Sequence, residues 1–180
     1  MKARIYFDVN FLVHVLQGAS GPFGLDAQTA LRNVARGHAG SHVAVCCSSW
    51  QLSVLKSTLE KLNLGHVFES FVDAFIEVVD ATGGVEDTVR VTSEDFRALE
   101  TEARQTRLAP DGEDLGHLKS MLRMGIDVFV TDDVPGVRLT LLTCDPPGSA
   151  ARRLVIQSEL ISGPFLSNAL PASQWEFLGK

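Results

Sequence analysis

The stretch Ala3-Arg4-Ile5-Tyr6-Phe7-Asp8-Val9-Asn10 decides the fold class. Its first five residues form a short run rich in β-formers that stops at an aspartate, which reads as a strand ending in an acid. From Val9 to Leu16 the apolar positions Phe11, Leu12, Val15 and Leu16 take helical spacing, so the strand feeds directly into a helix.

Working outward, the same alternation repeats. Gly18-Ala19-Ser20-Gly21-Pro22 is a loop, and a helix is predicted from Asp26, a plausible N-cap, to Arg36, ended by Gly37 to Gly40. Val43 to Cys47 reads as a second buried strand that ends in Ser48-Ser49, followed by Leu52, Leu55, Leu59 and Leu62 on one helical face. Another helix is expected from His66 to Ile76, with short strands at Val78-Val79 and Val89-Arg90-Val91 flanking the loop at Gly83-Gly84. Thr92 or Ser93 marks a helix start running to Thr106. Asp111-Gly112-Glu113-Asp114 opens a further helix that carries Leu115, Leu118 and Leu122 and ends at Gly125. Ile126 to Val130 is then a strand delivering Thr131-Asp132-Asp133. Arg138 to Thr143 and Leu154 to Gln157 are weaker strand candidates around the Asp145-Pro146-Pro147-Gly148 turn. Strands alternating with helices call for a three-layer α/β/α domain with a parallel central sheet.

The 180 residues suit one domain, and 45% apolar with 21% charged residues excludes wholesale disorder. No apolar run reaches the roughly 18 residues of a membrane span. The start of the chain lacks the pattern of a secretory signal. Three cysteines, two of them adjacent at Cys46-Cys47, argue against a disulfide framework, so a reducing cytoplasm is the expected setting. A net charge of −6 excludes a chain-wide basic face for nucleic acid. It does not exclude a nuclease, because cations held by carboxylates invert the local sign.

In open α/β sheets, ligands collect beyond the carboxyl ends of the strands. Asp8 ends the first strand, Asp132-Asp133 follow the late one, and Asp114 sits in the first turn of the helix before it. Carboxylates a few ångströms apart repel by ~4 kcal/mol per pair at an effective dielectric near 20. A hard cation such as Mg²⁺ or Mn²⁺ removes that penalty and favours oxygen ligands. Each acid also has an ordinary reading: Asp8 as the N-cap of the next helix, Asp114 as a helix N-terminal charge, Asp132-Asp133 as a polar turn. Their coincidence at junctions on one side of the sheet favours a site.

These residues resemble the PIN-domain family, mostly metal-dependent ribonucleases and including VapC-type toxins. Ile5-Tyr6-Phe7-Asp8-Val9-Asn10 is similar to the family's opening strand and aspartate, Asp114-Leu115-Gly116-His117-Leu118 to its D-x-x-H-L segment, and Thr131-Asp132-Asp133 to its T-x-D strand end. The resemblance covers residues 1–134 as a core and leaves 135–180 as a C-terminal extension of a single domain spanning 1–180. It implies metal-dependent hydrolysis of RNA phosphodiester bonds. Asp8, Asp114 and Asp133 would be the catalytic metal-binding acids, joined by Asp132, with Asn10, Thr131 and His117 supporting them. It also implies Mg²⁺ or Mn²⁺ as cofactor, RNA as substrate, a homodimer and an antitoxin partner, away from membranes. Where members place a glutamate, about five residues past the serine ending the second strand, this chain has Ser53 or Val54. Glu60 lies two helical turns too far along, so a weaker metal site is expected.

Two other readings compete. Asp8 as nucleophile, Ser48 or Ser49 as phosphate-binding hydroxyl and Asp132-Asp133 as metal acids resemble a haloacid-dehalogenase-type phosphatase, but Asn10 replaces that family's second aspartate. A catalytically degenerate PIN fold acting as a binding module fits the missing glutamate. Among the remaining residues, Cys46-Cys47 read as small core hydrophobes. Arg152-Arg153 and Arg104/Arg107 read as solvated surface, and Trp50 and Trp175 as core or dimer-interface residues.

Overall fold

The computed structural model describes residues 2–21, 24–25, 27–28, 31, 43–94, 97–98, 101, 112–126, 128–130 and 154–155. Among the described residues, five strands form one parallel sheet: β1 (Ala3–Phe7), β2 (Val43–Ser48), β3 (Glu86–Asp87), β4 (Val128–Val130) and β5 (Leu154–Val155), in the order β3-β2-β1-β4-β5. The principal helices are α1 (Val9–Gln17), α2 (Ser49–Lys61), α3 (Phe68–Thr82) and α4 (Gly112–Met124). The fold is the expected α/β, PIN-like one. Leu154–Val155, part of the C-terminal extension in the sequence reading, pairs with β4 as an edge strand.

The strand that opens the chain is central, paired with β2 through Ala3–Tyr6 and with β4 through Ile5–Phe7. Chain order runs outward from β1 to β2 and β3, then returns to β1's other side for β4 and β5. The order therefore reverses between β1 and β4, the crevice where open α/β sheets bind ligands.

The sheet is covered differently on its two faces. Ile5, Phe7, Val43, Val45 and Cys47 point into an apolar cluster with Phe11, Leu12, Val15, Phe75 and Val79 of α1 and α3, joined by Leu55 and Leu59 of α2. Phe7 stacks on Phe11 with ring centroids 4.8 Å apart, and Phe71 stacks on Phe75 at 5.4 Å. Tyr6, one residue along β1, points the other way, toward His117 of α4 and Phe129 of β4.

Two expected strands are absent. Val78-Val79 lies inside α3, because Phe71, Phe75, Val79 and Thr82 continue one helical face to Gly83. Gly83 takes the left-handed conformation (φ 66°), its N–H donates to Asp80 O and that of Gly84 to Val79 O, so the helix ends there and not at Ile76. Val89-Arg90-Val91 has no regular structure; the strand of this region is Glu86–Asp87, in register with Cys47 and Ser48. Thr82 also closes the upstream edge of β2, where the N–H of Val45 donates to its hydroxyl at 2.9 Å.

The helix expected from Asp26 to Arg36 is helical at its described positions between 24 and 31, and that from Thr92 or Ser93 is helical at 93–94, 97–98 and 101. The candidate strand at Arg138 to Thr143 lies outside the described residues. Among the described residues, no helix is long and apolar enough to cross a membrane.

Candidate active site at the carboxyl edge of the sheet

Asp8 follows the last residue of β1 and is half-buried. Its backbone N–H donates to Val130 O at 2.8 Å, extending the β1–β4 ladder by one step. This bond fixes the acid at the reversal point, beside the end of β4. Its side chain also has the ordinary role: Oδ1 accepts from Val9 N at 2.7 Å, and Asp8 is the N-cap of α1. Capping and site formation are compatible, since a carboxylate has two oxygens and about four acceptor positions.

Parallel register carries the geometry to the neighbouring strands. Tyr6 pairs with Cys46, so Asp8 stands level with Ser48, and Ser48 pairs with Asp87 of β3. Ser48 is fully buried. Its Oγ caps α2 by accepting from Gln51 N at 3.1 Å and lies 2.9 Å from the hydroxyl of Tyr6, which in turn lies 2.8 Å from Nδ1 of His117. Burial keeps Tyr6 protonated, raising its pKa well above 10, and the nearby Asp8 pushes the same way, against the lowering effect of the Ser48 bond. The network ties the end of β2 to α4. Because the Ser48 oxygen is engaged inside the protein, it does not serve as the phosphate-binding hydroxyl of the phosphatase reading.

Sequence reasoning missed Gln51. It is fully buried, and its Nε2 donates to Phe7 O, the last carbonyl of β1. Ser48-x-x-Gln51 is a capping-box pattern, and that was the available signal. Only half of the box forms: the glutamine side chain reaches β1 instead of folding back on its own helix. Its Oε1 is buried without a hydrogen-bond partner, as is Oδ1 of Asn10 in the first turn of α1. Both are neutral oxygen acceptors on helices that begin at the carboxyl edge, chemistry suited to a hard cation or a water bound to one. Ser53, the expected place of the family glutamate, is exposed, with its Oγ donating to Ser49 O of its own helix. Val54 packs against the apolar cluster and Glu60 is exposed.

His117 is 3% exposed and packs edge-on against Tyr6. Asp114 lies in the first turn of α4; its side chain is outside the described residues, as are Thr131, Asp132 and Asp133. Among the described residues, no three His, Cys, Asp or Glu side chains gather as a metal centre. At the sheet edge next to this region, Asp87 is 7% exposed and its Oδ2 accepts from Nη2 and Nε of Arg123 at 2.6 and 3.0 Å; the same Nη2 also donates to Val89 O. Asp87 is thus a structural ion-pair partner holding β3 to α4.

No family model matches the chain, and no curated protein matches it. Among solved structures, the chain is similar to VapBC2 from Rickettsia felis bound to a DNA fragment from their promoter, at 16% identity and a TM-score of 0.55, over 85% of this chain and 98% of that one. At that identity the likeness concerns the fold, and it agrees with the PIN-like architecture built above from strand order and register.

Proposed function

We propose that the protein is a divalent-metal-dependent ribonuclease. One observation carries the reading: the Asp8 N–H to Val130 O bond sets the acid of β1 beside the strand end from which Thr131-Asp132-Asp133 departs. In this proposal Asp8, Asp114 and Asp133 hold Mg²⁺ or Mn²⁺, with Asp132, Asn10 and Thr131 assisting. The cation, when bound, supplies charge that acidifies water and offsets the developing charge on an RNA phosphate. The chain's own residues do the positioning. Gln51 pins the last carbonyl of β1, the Asp8 N–H locks β1 to β4, and the Tyr6–Ser48–His117 network keeps β2 and α4 in place. No side chain need act as nucleophile. An amide at Gln51 and a hydroxyl at Ser53 contribute no negative charge, so cation binding is weak, with activity at millimolar Mn²⁺. By likeness to the neighbour's assembly, a protein partner of antitoxin type belongs to the same proposal, as do a homodimer and a cytoplasmic setting.

Asp8→Asn tests this. Asparagine caps helices as well as aspartate, so thermal unfolding should move by less than about 0.5 kcal/mol, while Mn²⁺-dependent cleavage of single-stranded RNA should fall at least about 100-fold, or roughly 3 kcal/mol in the barrier. Cleavage intact in Asp8→Asn, or absent from the wild type on every RNA tried, overturns the nuclease. The second outcome leaves the binding-module reading in its place.

A further inference from the structure

A cleft of about 330 Å³ opens beside this edge, lined by Ser49, Trp50 and Ser53 of α2 and by Arg90 and Val91. It begins one residue beyond Ser48, which stands level with Asp8 across the β1–β2 pair. Its volume lies at the small end of the roughly 300–1,000 Å³ of ligand pockets, enough for one flat ring system and little more.

The indole of Trp50 is fixed before any ligand arrives. Its Nε1 donates to Glu113 O at 3.1 Å, and the backbone of Gly116 lies directly against the ring. A Cβ at position 116 would fall 2.0 Å from Cε2 and 2.2 Å from Nε1, so only glycine lets α4 approach this closely. With α4 covering part of the ring, Trp50 still lines the cleft and is half-buried rather than core. Arg90, which lines the same cleft, is exposed, and no carboxylate pairs with it among the described residues. By contrast Arg123, on the same side of the sheet, is bound to Asp87. A held aromatic ring with an uncommitted guanidinium beside it is the pairing that takes a nucleobase and its phosphate, the base by stacking and the phosphate by a charged fork.

We propose that this cleft is a single-nucleotide subsite for single-stranded RNA, in which Trp50 stacks on one base and Arg90 binds the adjoining phosphate. The choice of RNA rests on the ribonuclease reading. The cleft orients a strand whose next phosphates run toward Asp8, and it reads an unpaired base, because a duplexed base has no free face to offer.

The test uses binding without cleavage. The chain has two tryptophans, so a Trp175→Phe background leaves Trp50 as the sole indole reporter. In EDTA, a hexameric oligouridylate should quench Trp50 saturably. Trp50→Leu should weaken binding, measured by polarisation of a labelled oligomer, by roughly 5- to 150-fold, the range for loss of one base–aromatic stack. Arg90→Ala, at an exposed position that leaves folding intact, should weaken it about fivefold or more and lower the salt slope by about one. Binding unchanged in Arg90→Ala, RNA bound without quenching of Trp50, or quenching that follows protein concentration and so reports a second copy of the chain, each overturns the proposal. The two readings fail separately. RNA held as described but never cut sinks the ribonuclease and keeps the cleft; RNA cut equally well by wild type and Arg90→Ala, with equal affinity, does the reverse.

Discussion

The two faces of the central sheet are built on opposite terms. Toward α1 and α3 the strands present Ile5, Phe7, Val43, Val45 and Cys47 to a dry, aromatic cluster. Toward α4 they present Tyr6 and Ser48, whose hydroxyls meet His117 in a buried polar network. Burial is nearly complete on both. The dry face is held by area and packing, which tolerate exchange among apolar groups of equal volume. The polar face is held by partners that must each be present, since an unmatched buried donor or acceptor costs ~1–3 kcal/mol. The candidate site lies at the carboxyl end, where Asp8 follows Phe7 of the dry face and stands level with Ser48 of the polar one.

The comparison is broken most forcefully by Phe7→Ala. Removing a ring stacked on Phe11 and tilted against Phe75 should cost ~3–5 kcal/mol, lowering the melting temperature by roughly 6–20 °C at 2–4 °C per kcal/mol; a loss under about 1 kcal/mol would mean the dry face is not the main source of stability.

Alkaline pH challenges both faces together. Burial first, then neighbouring acids such as Glu86, pushes the Cys47 thiol from 9.0 up to about 12, and Tyr6 is raised as well. Between these values the folded chain keeps a proton that the unfolded chain releases, so this stability is complete below about pH 9 and disappears as pH rises toward 12. Melting temperature should be level from pH 7 to 8.5 and then fall, and Cys47→Ala should flatten that decline. A decline of equal steepness in Cys47→Ala would remove the dry-face thiol as a cause.

Tyr6→Phe should have the smallest effect, ~1–2 kcal/mol, because it deletes one hydroxyl while keeping the ring. Denaturant unfolding with unchanged slope checks it; a loss as large as that of Phe7→Ala would mean the network, not the apolar cluster, dominates.

The parts of this fold visible in the sequence were those with a local signal. β1 and β2 are short apolar runs with polar stops, and α2 carries its leucines at helical intervals. β3 was invisible because Glu86-Asp87 has no β-forming character; it is a strand only because Cys47 and Ser48 supply a register for it. Val78-Val79 misled for the opposite reason: a β-branched pair looks extended in isolation, and helical periodicity with Phe71 and Phe75 overrides it. The place of Asp8 at the end of β1 was legible from the sequence. Gln51 was not, since a glutamine in a capping pattern gives no sign that it will reach another strand. The alignment of Asp114 and Asp133 with Asp8 remains the expectation tested above through cleavage.

The central position of β1 also bears on how the chain is made. β1 emerges first, and β2 covers one of its edges. The other edge, along Ile5–Phe7, is completed by β4, which begins at Val128 and follows the end of β2 by about 80 residues. At synthesis rates of ~5–20 residues per second, that edge stays open on the ribosome for roughly 4–16 s. During this interval β1, whose Ile5, Tyr6 and Phe7 are fully buried in the finished fold, offers unpaired N–H and C=O groups that any extended segment can fill. The strand order that places Asp8 at the crevice therefore also leaves the nascent protein with an open strand edge, and ties its closure to the arrival of β4.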